Sequence, residues 1–331
     1  MTGGVVDLSV AMITFNGAKY VAEQLQSILA QTRPPDEIVV VDDGSRDDTV
    51  AIVRQVLSEG NAQFAIHENA TRLGARENAV RAVGLTSGRL VALADQDDRW
   101  RPIKLEVLAN LMATENADLV FSDADLIDAE GTQLRRRLWQ SVGLDEDSLQ
   151  RWRQGEALDI LLRGPVVTGA TIMVTRALIE SASPIPAAGW HDMWLALFAA
   201  ASDMRTTPHP AALMDYRLHS NTVGLPTRNP LRRLRARPAG ARFREEQRRL
   251  DEALLARLGK TSPSPALAAV RRHDEFLQFR DALPQNPLAR AANIRNRWLR
   301  GEYQAFTRGR STAFADLLNI RRSVAADDGD G

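Results

Sequence analysis

Three carboxylates fall within four residues in Asp95-Gln96-Asp97-Asp98, directly after the apolar run Leu90 to Ala94. Negative charges gathered at the end of a buried strand repel one another unless a cation lies among them. Hard oxygen ligands in this number suit Mg2+ or Mn2+, held by one or two carboxylates together with substrate phosphates. The competing reading is a solvated acidic turn in which Asp98 caps the following helix. A second acidic pair, Asp42-Asp43, follows the β-branched run Glu37 to Val41. An Asp there can accept from a ribose hydroxyl or a base N–H. Turn chemistry, with Ser45 opening a capping box, accounts for the same residues structurally. Neither a G-x-G-x-x-G loop nor a P-loop follows any strand, so metal and side chains must neutralise a bound diphosphate. Arg72 and Arg76, flanking Leu73-Gly74-Ala75, suit that task, although each alone also reads as a surface arginine. Asp192 stands at the start of an apolar helix and reads as its N-cap.

The elements that must position these residues alternate in period. Leu8 to Phe15 reads as a buried strand ended by Asn16-Gly17, and Val21, Leu25, Ile28 and Leu29 then recur at helical spacing. Further strands are expected at Glu37–Val41, Phe64–Ile66, Leu90–Ala94 and Leu119–Phe121, with helices at Ser45–Leu57, Gly74–Leu85 and Lys104–Glu115. Such alternation predicts an α/β fold with a mostly parallel sheet covered by helices on both faces. Ligands bind such sheets at the carboxyl ends of strands, which is where the acidic residues fall. The pattern loosens from Asp123 to Gly169, around the basic run Arg135-Arg136-Arg137, and resumes with a strand at Val166–Val174, a helix at His191–Ser202 and a strand at Ala212–Leu218.

Length and composition exclude several classes. The 331 residues, 44% apolar and 25% charged, describe a soluble globular chain. Without cysteine there is no disulfide scaffold, thiolate metal site or Cys nucleophile. Met1 to Asp7 carries neither a basic stretch nor an apolar run, so a cytoplasmic protein is expected. The 42 basic and 42 acidic residues cancel, but unevenly: through Leu225 there are 20 against 30, and beyond it 22 against 12. Nine arginines lie between Arg228 and Arg249, interleaved with Leu231, Leu234 and Phe243. Arg-rich amphipathic helices suit an anionic bilayer; a helical appendage with a solvated basic face is the plainer reading. Nucleic acid is not an expected partner, because no recognition motif accompanies the charge.

The ordered set Val10–Asn16, Gln31-Thr32, Ile38–Ser45 with Asp48-Thr49, Leu93–Pro102 and Lys104-Leu105 resembles family-2 glycosyltransferases of the GT-A fold. Gly169–Val174 is similar to that family's acceptor-side strand, Trp190–Trp194 to its catalytic segment, and Asp215–Gly224 to the end of its catalytic domain. Within the family the chain most resembles bacterial rhamnosyltransferases of surface polysaccharide synthesis. The resemblance implies that Asp43 meets the nucleotide base or ribose, beside backbone groups of Thr14, Phe15 and Asn16, with Arg76 also on the nucleotide. It makes Asp95 and Asp97 an Asp-x-Asp element that, with Asp98, holds Mg2+ or Mn2+ and the donor diphosphate. Asp192 becomes the general base, and His219 lies near the metal. His191 departs from the acid that many relatives carry there.

Together these readings predict an inverting, metal-dependent glycosyltransferase in residues 1–225, an Arg-rich helical extension in 226–326 and a disordered tail in 327–331. Its donor would be dTDP-rhamnose first and a UDP-sugar second. Its acceptor would be a cell-surface glycan or a polyprenyl-diphosphate-linked sugar, with peripheral attachment to the inner face of the membrane through the basic segment. The alternative is a non-catalytic nucleotide-sugar binding protein of the same fold. A nucleotidyltransferase would need a Gly-rich basic loop that Phe15 to Lys19 only poorly supplies.

Overall fold

A computed structural model of the chain describes residues 7–60, 62–219, 240–259, 264–307 and 309–318. The boundary expected near Leu225, the arginines from Arg228 to Arg237 and the 327–331 tail lie outside the described residues. Of the described residues, 7–157, 166–185 and 190–219 form one compact unit, and 158–165, 186–189 and 240–318 another.

The first unit opens as the period alternation requires. Strand β1 (Leu8–Thr14) leads to α1 (Val21–Leu29), β2 (Glu37–Asp42) to α2 (Thr49–Ser58), and β3 (Gln63–Glu68) to α3 (Ala75–Leu85). Strand β4 (Leu90–Ala94) pairs parallel to β1, β1 to β2 and β2 to β3. Val10, Met12, Ile38, Val40, Val41, Val91 and Ala92 are fully enclosed, because helices cover both faces of this half. Each such aliphatic side chain contributes ~1.5–3 kcal/mol on burial.

The rest of the sheet is mixed. After the short β5 (Arg99–Trp100) and α4 (Lys104–Glu115) come β6 (Leu119–Ile127), β7 (Gln133–Arg137), α5 (Leu138–Val142), α6 (Glu146–Arg153) and α7 (Ala157–Leu162). A single 3-10 turn at Gly169–Thr171 precedes β8 (Ile172–Thr175), α8 (Arg176–Ala182), α9 (His191–Ala201) and β9 (Thr206–Arg217). The order across the sheet is β3-β2-β1-β4-β8-β6-β9-β5, with β7 added to β6. β8 runs antiparallel to both β4 and β6, whereas β6 and β9 are parallel. The parallel half is thus legible in the first 94 residues, and β8 is the element that turns the sheet mixed. β8 is also shorter than the strand expected over Val166–Val174, since the 3-10 turn takes up its first part.

Gln31 and Thr32 brace the chain that follows the acidic run. The Gln31 side chain donates to Arg101 O (2.8 Å) and accepts from Leu105 N (2.9 Å), and Thr32 N donates to Pro102 O (2.8 Å). The end of α1 is thereby fastened to the chain entering α4.

In the second unit, α10 (Gly240–Leu258), α11 (Pro265–Asp281), α12 (Pro287–Leu299), α13 (Glu302–Phe306) and α14 (Arg310–Leu317) make up the expected helical extension. Phe276 packs edge-on against Tyr303, 5.1 Å between ring centroids, and the Tyr303 hydroxyl donates to Asp316 (2.9 Å). His273 is buried with Nδ1 2.7 Å from Asp251 Oδ2. Among the described residues no helix is long and apolar enough to cross a membrane.

Candidate active site

The exits of β1, β2 and β4 lie side by side, so the candidate residues converge. Thr14, the last residue of β1, donates to buried Asp42 Oδ2 (2.8 Å). Asp42 also accepts from Gly44 N and Ser45 N through Oδ1, and from the Ser45 hydroxyl through Oδ2. Ser45 in turn accepts from Asn16 N (2.8 Å). It therefore ties two loops together and caps no helix: α2 starts at Thr49 with Asp48 as its N-cap, and the capping box expected at Ser45 is not formed. Asn16 adopts a left-handed conformation (φ 46°), where asparagine is among the best tolerated residues.

Asp43 faces the other way. Its Oδ1 accepts from Asn69 Nδ2 (2.8 Å) and Leu73 N (2.7 Å), and its Oδ2 from Gly74 N (2.8 Å). Both oxygens are thus engaged by the loop that leads into α3, and Asp43 shapes that loop. Arg72 leaves the loop to lie over the Phe15 ring, 4.1 Å from its centroid. Arg76 pairs with neighbouring Glu77 and acts electrostatically on His191.

At the β4 exit the four-residue acidic run divides its work. Gln96 spans to β1, accepting from Phe15 N (2.8 Å) and donating to Phe15 O (2.9 Å). Asp97 Oδ2 lies 2.5 Å from His219 Nε2, and that imidazole stacks on Tyr20 at 5.3 Å. Asp98 is buried and does not cap α4, whose N-cap is Ile103. One of its oxygens accepts from Arg217 N (3.1 Å), and the other has no partner. Asp95 is pushed up to about 7, first by burial and then by the charges of Asp97 and Asp192. Asp98 is raised well above the usual carboxylate range by burial and by Asp97 and Asp95. Beneath them Lys104 is fully enclosed, donating to Ala170 O (2.6 Å) and lying 3.7 Å from the centroid of the Trp100 ring. Burial draws its ammonium down to about 7, although Asp98 and Asp95 oppose the shift.

Asp192 enters from α9. It is not the N-cap, which is Trp190; it lies within the first turn, with Oδ1 accepting from Met193 N and Oδ2 from Gly169 N, both at 2.7 Å. A Cβ on Gly169 would sit 3.1 Å from His191 Nε2 and 3.5 Å from Asp192 Oδ2, so glycine is what lets the turn approach so closely. Burial lowers His191, which favours its neutral form. Trp100 and Trp194 are core residues, while Trp190 is exposed.

Further residues shape this cleft, to which the motifs Leu93–Pro102 and Asp215–Gly224 had assigned no individual role. Arg217 is enclosed; its Nε donates to Asp97 O (2.7 Å) and an Nη to Glu23 (2.5 Å). Tyr216 feels all four acids: burial first, then Asp98, Asp95, Asp97 and Asp192, hold its phenol well above the ordinary range. Arg99 and Arg101 pair with the enclosed Asp215 at 2.5 and 2.7 Å and fix the short β5 against β9.

The donor set fits a divalent cation. It offers hard carboxylate oxygens, one of them buried and unpartnered on Asp98, in a cluster whose mutual repulsion a cation would relieve. Among the described residues no three or more His, Asp or Glu side chains are gathered as a ready ligand cage. A cation held by Asp97 and Asp98 would therefore take most of its coordination sphere from phosphate and water, as Mg2+ commonly does.

The sequence pattern described as glycosyl transferase family 2 matches residues 9–180. A relative from Escherichia coli is UDP-Glc:alpha-D-GlcNAc-diphosphoundecaprenol beta-1,3-glucosyltransferase, 28% identical over 36% of this chain and 46% of its own length. The chain spans about half the length of the curated relatives it matches. Among solved structures, S. aureus TarS in complex with UDP-GlcNAc has a TM-score of 0.58 at 17% identity, covering 91% of this chain and 81% of that one. The mannosyltransferase PcManGT from Pyrobaculum calidifontis, in complex with GDP-Man and Mn2+, has a TM-score of 0.53 at 18% identity, covering 96% and 86%.

Proposed function

The chain belongs to glycosyl transferase family 2 and has a GT-A-like fold, and from that premise we propose an inverting, metal-dependent sugar transfer in cell-surface polysaccharide synthesis. The observation that carries this reading is the convergence of Asp95, Asp97, Asp98 and Asp192 on one cleft, where all four charges bear on Tyr216. The donor is a nucleoside diphosphate sugar, dTDP-rhamnose first and a UDP-sugar second. UDP-GlcNAc bound to a protein of similar fold supports the second, and the rhamnosyltransferase-like motifs support the first. The acceptor is a glycan or a polyprenyl-diphosphate-linked sugar, in keeping with the name of the Escherichia coli relative. The work is done in the cytoplasm, with the basic segment against the inner face of the membrane.

In this mechanism the β1 exit at Thr14, Phe15 and Asn16, held in place by Gln96 and Ser45, borders the base and ribose, and the loop shaped by Asp43 closes the same side, with Arg76 at its edge. Asp95, Asp97 and Asp98 face the donor diphosphate, with His219 beside Asp97. Asp97 and Asp98 would hold Mg2+ or Mn2+, which when bound neutralises the leaving diphosphate as a Lewis acid. Asp192, oriented by the Gly169 and Met193 amides, takes the proton of the acceptor hydroxyl. The acceptor oxygen forms its bond to the anomeric carbon as the bond to the diphosphate oxygen breaks. One base acting opposite the leaving group gives inversion.

A panel of nucleotide sugars screened by thermal shift, with and without Mn2+, tests the donor half. A Mn2+-dependent rise in Tm with one donor is the expected result. No response to any nucleotide sugar overturns the reading. Donor binding with no transfer to a lipid-diphosphate-linked or free glycan acceptor favours the non-catalytic alternative.

A further inference from the structure

A surface helix ordinarily buries apolar side chains and leaves its charges in water. In the second unit, α12 does part of the opposite. Arg290 is buried on it, donating to Pro284 O (2.8 Å) and Gln285 O (2.9 Å), while Leu288 and Leu299 are 83% and 73% exposed. Leu288, Ala292, Arg295 and Leu299 fall at i, i+4, i+7 and i+11, a single stripe along the helix, and all are exposed. Helix α14 packs against α12 and repeats the arrangement. Its Arg310, Phe314 and Leu317 stand at i, i+4 and i+7, Leu318 follows, and Phe314 is 61% exposed. Asp316 lies on the other side of α14, held by Arg280 and the Tyr303 hydroxyl, so the Phe314 stripe turns away from the interior of this unit. Single surface leucines need no explanation. Among the described residues, however, ten large apolar side chains are exposed, and the four most exposed are Leu288, Leu299, Phe314 and Leu318.

The charge beside these stripes has one sign. Between 287 and 318 the acids are Glu302 and Asp316, and both are paired, Glu302 with Arg297 at 2.7 Å and Asp316 with Arg280 at 2.8 Å. Arg295, Arg300 and Arg310 are exposed and have no ion pair among the described residues. A second copy presenting the same face would set arginine against arginine, a like-charge juxtaposition that opposes association. Leucine and phenylalanine among uncompensated arginines instead match the boundary of an anionic bilayer, where acyl chains receive the apolar side chains and lipid phosphates the guanidinium groups. At 13 residues α12 is too short to span a bilayer, which needs about 20, and its stripe suits a helix lying in the interface.

We propose that α12 and α14 form a face that lies on an anionic phospholipid bilayer. Leu288, Leu299, Phe314 and Leu318 enter the boundary between headgroups and acyl chains, and Arg295, Arg300 and Arg310 meet the lipid phosphates. This face is separate from the basic segment between Arg228 and Arg249, and the proposal rests neither on that segment nor on the transferase reading.

Flotation of the full chain with phosphatidylglycerol–phosphatidylcholine vesicles is the test. Binding is expected, weakened by added salt and by replacing the anionic lipid with phosphatidylcholine. Leu299→Ser and Phe314→Ser should each weaken it about tenfold, since each removes an inserted side chain. Both positions are exposed, so Tm should not fall. Arg295→Gln should weaken binding about fivefold and reduce its salt dependence. Leu85→Ser, the loss of an exposed leucine outside this face, should change nothing. Failure of the wild-type chain to float overturns the proposal. Unchanged flotation of the Leu299→Ser, Phe314→Ser double variant also overturns it, and assigns any attachment to another part of the chain. Sedimentation at rising concentration examines the other occupant: a dimer that Phe314→Ser dissolves overturns the bilayer assignment in favour of a second copy. Thermal shift with nucleotide sugars should be the same in every variant, so the transferase reading stands or falls separately.

Discussion

Gly17→Ala probes how the β1 and β4 exits are joined. The Gly17 backbone is in an ordinary region, so alanine meets no conformational barrier and stiffening the unfolded chain should stabilise by ~0.4–1 kcal/mol. A Cβ at this position would nevertheless lie far inside van der Waals contact with Oε1 and Cδ of Gln96. The amide must swing away, and its two bonds to Phe15 N and O go with it. Two partly buried backbone groups then lose a partner, at ~1–2 kcal/mol each. Set against the unfolded-state gain, the net loss is ~1–3 kcal/mol. Gln96→Ala breaks the same two bonds. The double variant should therefore be ~0.4–1 kcal/mol more stable than Gln96→Ala alone, a coupling of ~2–4 kcal/mol in a double-mutant cycle. Urea unfolding of the four proteins measures it, and titration with donor nucleotide reports whether Phe15 and Asn16 have moved. Additive losses, or a Gly17→Ala chain as stable as wild type with Gln96 in place, would refute the reasoning.

Asp192→Asn should lower transfer by ~10²–10⁴-fold, the usual range for a positioned base, and leave donor binding intact, because the asparagine carbonyl can still accept from Gly169; parallel loss of both would make the residue purely structural. Mn2+-dependent donor binding should strengthen as pH rises through about 7, since a cation at Asp97 and Asp98 favours the charged form of Asp95 beside them and expels its proton, and isothermal titration in buffers of different ionisation enthalpy should detect that proton. The same raised value gives the metal-free fold the opposite trend. The folded state holds the Asp95 proton more tightly than the unfolded chain, so unfolding releases it, and this group's contribution to stability falls between about 4 and about 7; denaturant midpoints against pH check the sign. Asp43→Ala strands the amides of Leu73 and Gly74 and should cost ~2–4 kcal/mol, with weakened nucleotide binding, measured by urea unfolding and UDP titration.

Much of the site was readable in the sequence because its residues follow strands whose period is unambiguous. Asp43, Asp95, Asp97 and Asp98 lie just past runs such as Ile38–Val41 and Leu90–Ala94, and the rule about strand ends locates them without coordinates. What escaped depends on distant partners. Gln96 reads as a spacer between acids until Phe15, 81 residues away, supplies its two bonds. Lys104 is visible in sequence only as part of the Lys104-Leu105 motif piece, and its enclosure by Trp100, Ala170 and Met214 comes from distant chain. Ser45 and Asp98 looked like helix caps because short polar side chains before a helix usually are. In the structure Asn16 and Arg217 draw them sideways across the sheet rim. Local pattern says which side chains are available, and the crossings between strands decide what they bind.

Arg217 and His219 stand together where β9 ends, and both hold the Asp97–Asp98 loop. The polypeptide thus leaves the sheet by way of its most negatively charged corner. A pull on the backbone beyond Leu218 would reach the acidic loop before it disturbed the hydrophobic interior. Tethering the chain just downstream of His219 should therefore shift Mn2+ and nucleotide-sugar binding, measured by titration, while the melting of the sheet stays the same.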